Sequence, residues 1–571
     1  MNSVLDIIFK QVTARSEQPA LNYLDATMTY IPITYREMAL SAQQFSQYLA
    51  SFVQSESRVV IWSNNCWQWA ISDLAIQLVG AVSVPLYPTA GEDQLDYIFN
   101  DAKPEVVIVD HLTKDRLTLL QQVSSIKKII VIGDIEERPG NDIVIEFDDA
   151  LATITPSTAF DSGAWKKDRM SDLFTILYTS GTTGVPKAVP LTHENVVSNF
   201  LGILDIIPIS HTDASLSFLP LSHIFERTVG FVCVMGVGAR IYYAESIDTV
   251  ARDLLVAKPT FIISVPRLYE KIYQKVMGNA SGAKKVILKL ALAIGRNFSE
   301  SNPLWKVAYK VVFSKIHEKT GGNVRFLVTG GAPISAHIET FFNAIGLPVV
   351  QGYGLTETSP IITGNLDQKV GSVGKPLDNL TVRIADDGEI CVKGPNVFSG
   401  YLNVSNDDVF TDDGYFRTGD LGSLDDNGFL YVTGRKKEII VLSNGKNVSP
   451  NLVEETLAKS AFVNQVVVVG DNHSYLVALV VPDVEQVAQT LSKSNDANAL
   501  ASDPDVQELI LQDLKALSAP LAAFETIKKV ALIPTEFSID GKELTPTLKL
   551  RRKEINKKYE DTINALYDTN E

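Results

Sequence analysis

Ten residues from Tyr178 to Lys187 read Tyr-Thr-Ser-Gly-Thr-Thr-Gly-Val-Pro-Lys. Gly181 and Gly184 let the backbone turn its N–H groups inward, Thr179, Ser180, Thr182 and Thr183 add hydroxyl donors, and Lys187 adds a positive charge. Such a loop suits phosphate oxygens. It is not the P-loop of nucleoside triphosphatases, because Gly181 to Lys187 lacks the GxxxxGK[ST] spacing and Ala188 stands where a magnesium-binding hydroxyl belongs. Further along, Gln351-Gly352-Tyr353-Gly354-Leu355-Thr356-Glu357-Thr358 combines an aromatic ring for stacking, a hydroxyl for phosphate and a carboxylate able to bind Mg²⁺. Near the C-terminus Lys549 opens a basic tail: six Lys or Arg fall between 549 and 558 against one acid, Glu554.

These residues need a scaffold, and the chain can supply one. With 571 residues, 45% hydrophobic and 21% charged, it can bury two or more domain cores, which excludes a disordered protein. The 51 Lys and Arg against 67 Asp and Glu leave a net charge of -16, which argues against a general nucleic-acid binder. Cys66, Cys233 and Cys391 form no CxxC clip and suit a reducing compartment, and the seven histidines show no HExxH spacing. The N-terminal stretch Val4 to Lys10 is interrupted by Asp6 and lacks a preceding basic region, so it does not read as a secretory leader. The uncharged runs Leu74 to Gly91 and Thr340 to Thr356 are broken by Pro85 and Pro88, and by Gly346, Pro348 and Gly352, and read as buried core rather than membrane spans.

The first 150 residues alternate helix and strand patterns: helix near Thr34 to Val53, strand Arg58 to Trp62, helix Trp67 to Leu78, strand Val106 to Val109. Phe174 to Tyr178, Thr260 to Ser264 and Val324 to Val328 continue it, predicting an α/β fold with mainly parallel sheets covered on both faces. After Gly371, short strands and Gly/Asp turns predict a small antiparallel module. A compact α+β unit follows, with strands near Val466 to Val469 and Tyr475 to Val481, a helix Asp505 to Leu517 and a strand Lys528 to Ile533.

The ordered motifs resemble the adenylate-forming, AMP-binding superfamily, and the resemblance spans nearly the whole chain. Leu219-Pro220-Leu221-Ser222-His223-Ile224-Phe225-Glu226-Arg227 resembles the long-chain fatty acyl-CoA synthetase branch. The resemblance implies a large N-terminal domain, 1–434, binding AMP and the acyl group, and a mobile C-terminal lid, 435–571. It implies that Gly331, Ala332 and Pro333 lie against adenine, that Tyr353 packs on it, that Gln351, Gly352 and Gly354 also bind the nucleotide, and that Thr356 contacts the α-phosphate. Glu357 and Thr179 are the implied Mg²⁺ holders, and the loop Thr179, Ser180, Gly181, Thr182, Thr183, Gly184 and Lys187 the implied phosphate cradle. Asp420, in Phe416-Arg417-Thr418-Gly419-Asp420-Leu421-Gly422, would take the ribose diol, Arg435 a ribose or phosphate oxygen, and Lys437 the hinge, where many relatives carry Asp. Lys549 stands at the catalytic-lysine position, with Leu548 where other branches often have Gly, and His223 is an acyl- or CoA-side residue. The expected catalytic set is Lys549, Thr356, Glu357 and Lys187.

The activity implied is an ATP-dependent long-chain fatty acid:CoA ligase, with ATP, Mg²⁺ and CoA as co-substrate. A carrier-protein-loading acyl-AMP ligase and a CoA ligase for a medium-chain or aromatic acid are the alternatives, and monomer and homodimer both stay open. Between Glu270 and Thr320, ten Lys or Arg stand against three acids. Val286, Ile287, Leu290, Ala291 and Ile294, then Leu304, Ala308, Val311 and Val312, recur there at helical spacing. Residues 270–320 are therefore either a peripheral membrane contact or core helices with solvated lysines. A cytoplasmic location, at most peripheral on the inner face of the membrane, is the expectation.

Overall fold

Apolar runs of four to seven residues closed by turn residues fold as buried strands. In the computed structural model, which describes residues 1–157, 160, 163, 167–179, 186–278, 280–545 and 549–568, a seven-stranded sheet holds the first phosphate motif. Its spatial order is Val144–Glu146, Lys128–Val131, Val106–Val109, Arg58–Trp62, Val82–Leu86, Leu173–Thr179, Lys187–Thr192. Every neighbouring pair is parallel except the last, an antiparallel hairpin. Helices cover both faces, so the central strands are apolar on both: Val59, Val60, Ile61 and Val106 to Val109 are all fully buried. The helix predicted near Thr34 starts at a reciprocal cap, in which Thr34 Oγ1 accepts from Glu37 N–H and the Glu37 carboxylate accepts from Thr34 N–H.

A nine-stranded sheet carries the second motif. Its central strands Pro19–Leu24, Arg240–Tyr243, Ala214–Ser217, Phe261–Ser264, Phe326–Thr329 and Val349–Gly354 are parallel, and antiparallel strands close both ends. The two uncharged runs are core, as read: the first ends helix Trp67–Val79 and forms strand Val82–Leu86, the second joins helix Ala336–Ala344 to strand Val349–Gly354. Among the described residues no helix is long and apolar enough to cross a membrane. The three cysteines are free thiols.

The small module is a four-stranded antiparallel sheet, Thr381–Ile384, Glu389–Lys393, Phe416–Leu424 and Leu430–Arg435. Beyond it, strands Val463–Val469, Leu476–Pro482 and Ile527–Leu532 form a sheet whose alternate residues face two separate apolar clusters. Val466 and Val468 point into one, Val467 and Val469 into the other, the period of two expected of a sheet buried on both sides. Both clusters draw on residues from Ile440 onward. The basic tail forms helices Arg552–Lys558 and Glu560–Asp568, with Ile555 and Ile563 buried.

Candidate active site

Thr179 and Lys187 are the last paired residues of the hairpin, facing each other across it. The motif's two ends are thus fixed opposite each other on paired antiparallel strands. Ser180, Gly181, Thr182, Thr183 and Gly184 lie outside the described residues. The far anchor of the loop is held by Asn403, whose side-chain carbonyl accepts from Ala188 N–H at 3.0 Å and whose amide donates to Pro186 C=O at 3.0 Å.

Strands Phe326–Thr329 and Val349–Gly354 are parallel neighbours, so the segments that follow them emerge at the same sheet edge. That edge opens on a cavity of about 3400 Å³. Thr179 and Lys187 line it, as do Gly331, Ala332, Pro333, Gln351, Gly352, Tyr353, Gly354, Thr356 and Glu357. Asp420 and Arg435 enter from the four-stranded module, where they are cross-strand partners, and His223, Lys437 and Lys549 complete the lining. Every described residue singled out from sequence therefore borders one space. Gly331 takes φ +81°, a left-handed conformation that favours glycine, and its Cα faces Lys549, whose Cε would be in ordinary contact at 3.8 Å with a Cβ built there.

Two small networks organise the charges. Asp420 accepts from Arg435 Nε at 2.8 Å on one oxygen and from the Tyr353 hydroxyl at 2.9 Å on the other. Burial and the Asp420 charge hold the Tyr353 hydroxyl well above its ordinary value, so it stays a donor. Glu357 is buried and accepts from the Tyr401 hydroxyl at 2.7 Å, while Lys187 Nζ lies 4.3 Å from the centre of the same Tyr401 ring. One tyrosine thus fixes a carboxylate with its hydroxyl and steadies an ammonium with its face.

Lys549 lies on a tight antiparallel turn, its N–H donating to Thr545 Oγ1 at 3.0 Å and its C=O accepting from Thr545 N–H at 2.8 Å. Pro546, Thr547 and Leu548 lie outside the described residues. Three residues on, Arg552 grips Glu454 through both terminal nitrogens, at 2.7 and 2.6 Å, and anchors the turn to the C-terminal sheet unit. Surrounding protein pulls the Lys549 pKa down to about 8; Arg435 adds to this, and Asp420, Glu438 and Glu357 oppose it. The side chain is nonetheless exposed to the water of the open cavity, which moderates the depression. His223 is held neutral, its pKa lowered to about 3 by burial and then by Lys549. Its Nδ1 accepts from Phe225 N–H at 3.2 Å, which leaves the proton on Nε2.

Sequence reasoning missed several partners. Arg227, four residues after His223, is fully buried and donates from Nε and Nη2 to the two oxygens of Asp73 at 3.1 and 2.5 Å, and to Ser83 Oγ at 2.6 Å. Burial pushes the Asp73 carboxyl up, and the guanidinium beside it opposes that. Glu226 next door is buried, its pKa raised by desolvation to about 8 despite the Ser217 hydroxyl bonded to it at 2.6 Å. A Cβ on Gly230 would stand 2.6 Å from that carboxyl, so a side chain there would push the Glu226 carboxyl out of its present position over its own helix. Across the cavity Arg267 donates to the C=O and Oδ1 of Asn464 at 3.0 and 2.6 Å. Beside this bridge burial raises the Glu455 pKa to about 7, with Lys459 opposing and Glu454 and Glu270 adding to the rise. Tyr401 and Asn403 lie just past Gly400, in a stretch with no chemical signature of its own.

The family described as AMP-binding enzyme matches residues 8–402, and the AMP-binding enzyme C-terminal domain matches residues 437–571. The long-chain-fatty-acid–CoA ligase FadD15 of Mycobacterium bovis is 35% identical over 542 residues, covering 90% of this chain and 89% of its own. Long-chain-fatty-acid–CoA ligase 5 of Rattus norvegicus is 34% identical, covering 98% of this chain and 88% of its own. Among solved structures, the adenylation domain of the carboxylic acid reductase from Segniliparus rugosus, in complex with AMP and a co-purified carboxylic acid, superposes with a TM-score of 0.77 at 22% identity, over 99% of this chain and 94% of that one. That likeness speaks for the fold, while the family match and the relatives reach further: this chain belongs to the AMP-binding enzyme family.

Proposed function

We propose that the protein is an ATP-dependent long-chain fatty acid:CoA ligase. Carboxylate oxygen attacks the α-phosphate of ATP, the bond to the β-phosphate breaks, and acyl-AMP and pyrophosphate result. The thiol of CoA then attacks the acyl carbon, AMP leaves, and acyl-CoA is the product. The observation that carries the reading is the convergence of Thr179, Lys187, Glu357, Asp420, Arg435, His223 and Lys549 on one cavity, in a chain whose relatives are long-chain-fatty-acid–CoA ligases.

The roles follow from charge and position. Lys549, Arg435 and Lys187 supply positive charge where anions meet, so electrostatic stabilisation of the transferring phosphoryl group is their main contribution. Thr356 and the Thr179 to Gly184 loop donate to phosphate oxygens. Asp420 takes the ribose diol, sharing its oxygens with Arg435 and Tyr353, and the 331–333 and 351–354 segments flank adenine. The Glu357 carboxylate and Thr179 hydroxyl fit Mg²⁺, which ordinarily takes one or two carboxylates and completes its shell with substrate phosphates. When bound, the ion neutralises phosphate charge. Neutral His223, its Nε2–H available, lies on the acyl and thiol side. Residues 1–434 and 435–571 are the two domains of this reading, with Lys437 as the hinge: it lies in the turn where Glu438 and Ile439 N–H donate to Arg435 C=O. A cytoplasmic enzyme in peripheral contact with a membrane through 270–320 completes the proposal.

A pyrophosphate-release screen across fatty acids of graded length and aromatic acids, with and without CoA, tests this function. Long-chain acids should give the highest rate, with acyl-CoA formed only when CoA is present. Turnover confined to aromatic acids, or transfer only to a carrier protein, would overturn it. Tyr401→Phe removes the bond to Glu357 but keeps the ring beneath Lys187. Hydrogen bonds to charged groups contribute about 1.5–3 kcal/mol, so KM for MgATP should rise about tenfold or more. An ATP titration that leaves KM unchanged would show the bond to be idle in nucleotide binding.

A further inference from the structure

Helix Gly282–Asn297 has three faces. At about 100° per residue, Leu288, Ala291 and Leu292 lie together and pack into the core, while Lys285, Lys289 and Arg296 form an exposed basic flank. Val286, Ile287 and Leu290 share the remaining arc and are 67%, 47% and 64% exposed. The neighbouring helical stretch 303–318 repeats the plan: Trp305, Ala308 and Phe313 are buried, and Leu304, Val307 and Val311 stand in solvent. The apolar set that looked like one face in the sequence is therefore split. Ala291 and Ala308 belong to the core, Ile294 and Val312 are half-buried, and the others point outward. The reason is that each helix carries two apolar arcs, which a period alone does not separate.

Val286, Leu290 and Val307 are the three most exposed large apolar side chains among the described residues, and all lie on this packed pair. Clustered exposure of this kind marks an interaction surface. Charge selects the occupant. From 282 to 318 there are seven Lys or Arg against two acids, in a chain of net charge -16. A second copy would bring the same positive field against this one.

We infer that the helix pair 282–297 and 303–318 docks the enzyme on an anionic lipid bilayer. The apolar stripes enter the boundary between headgroups and acyl chains, and the flanking lysines extend to anionic headgroups. Because the rest of the chain is acidic, the same field that attracts this face repels the others and orients the enzyme. The preceding helix, Pro266–Gly278, places Arg267 and Glu270 in the cavity wall and leads directly to the docking pair. The cavity wall and the docking pair are thus linked along the chain by a single helix of ~20 Å. The purpose of this arrangement rests on the fatty acid:CoA ligase reading; the docking itself does not.

The test is vesicle co-sedimentation of the full chain, without substrates, using phosphatidylglycerol–phosphatidylcholine vesicles and phosphatidylcholine vesicles at low and high salt. The chain should sediment with the anionic vesicles only, and lose roughly tenfold or more of its affinity in high salt or on K285E/K289E/R296E. V286S/L290S/V307S should weaken binding while leaving the thermal transition and the turnover of a short, water-soluble carboxylate unchanged. Equal binding to both vesicle types, or binding indifferent to both triple variants, overturns the proposal. So does a dimer seen by light scattering that V286S/L290S/V307S dissolves, with no vesicle binding. Docking without acyl-CoA formation would overturn the ligase reading and leave the docking standing.

Discussion

Lys549→Ala should abolish carboxylate-dependent ATP–pyrophosphate exchange while leaving conversion of supplied acyl adenylate to thioester largely intact. The ammonium shares its electrostatic field with Arg435, Asp420 and Glu357, the groups proposed to surround the nucleotide. Removing one preorganised donor of this kind typically lowers kcat about 10²–10³-fold. Measuring the two half-reactions separately decides the matter: loss of both would mean that Lys549 also serves thioester formation, and loss of neither that it is a bystander. A pH profile sharpens the test. The active form is the ammonium, so the adenylation kcat/KM should fall as pH rises through the lowered Lys549 pKa, at about 8 or above given the side chain's exposure. Lys549→Arg, whose guanidinium does not deprotonate, should flatten that limb while costing rate.

Asp73→Ala should destabilise the protein by about 3–5 kcal/mol, because it strands a fully buried guanidinium. The pair joins helix Trp67–Val79 to the segment carrying His223, and Arg227 lies 4.1 Å from the centre of the Phe174 ring, so no water replaces the lost carboxylate cheaply. The double variant D73L/R227M should recover most of the loss, since apolar residues of similar volume avoid the desolvation of both charges. Urea unfolding of the two single variants and the double checks this. A double variant as unstable as the sum of the singles would show that the pair contributes beyond its mutual neutralisation, and a near-neutral D73A that Arg227 finds another partner.

The chemistry was most legible where it is contiguous. A loop rich in Gly, Ser and Thr ending in Lys187, and a carboxylate behind an aromatic in 351–358, declare themselves by composition, and strands Arg58–Trp62 and Val106–Val109 by unbroken apolar runs. What escaped reading is non-local. Asp73 and Arg227 are 154 residues apart, and Tyr401 reaches Glu357 from 44 residues away, out of a stretch whose neighbours are ordinary. Each looks like a commonplace charged or aromatic residue until the fold supplies its partner. Around Lys549 the charge density alone does not reveal partners either: Arg552 and Lys558 are committed to Glu454 and Glu543.

The bridge from Arg267 to Asn464 has a consequence for the swing proposed at Lys437. It joins helix Pro266–Gly278 to strand Val463–Val469, and beside it burial, with Glu454 and Glu270 adding, raises the Glu455 pKa to about 7. A swing at Lys437 must therefore break both hydrogen bonds from Arg267 and part Glu455 from Glu270, one of the charges that raise its pKa.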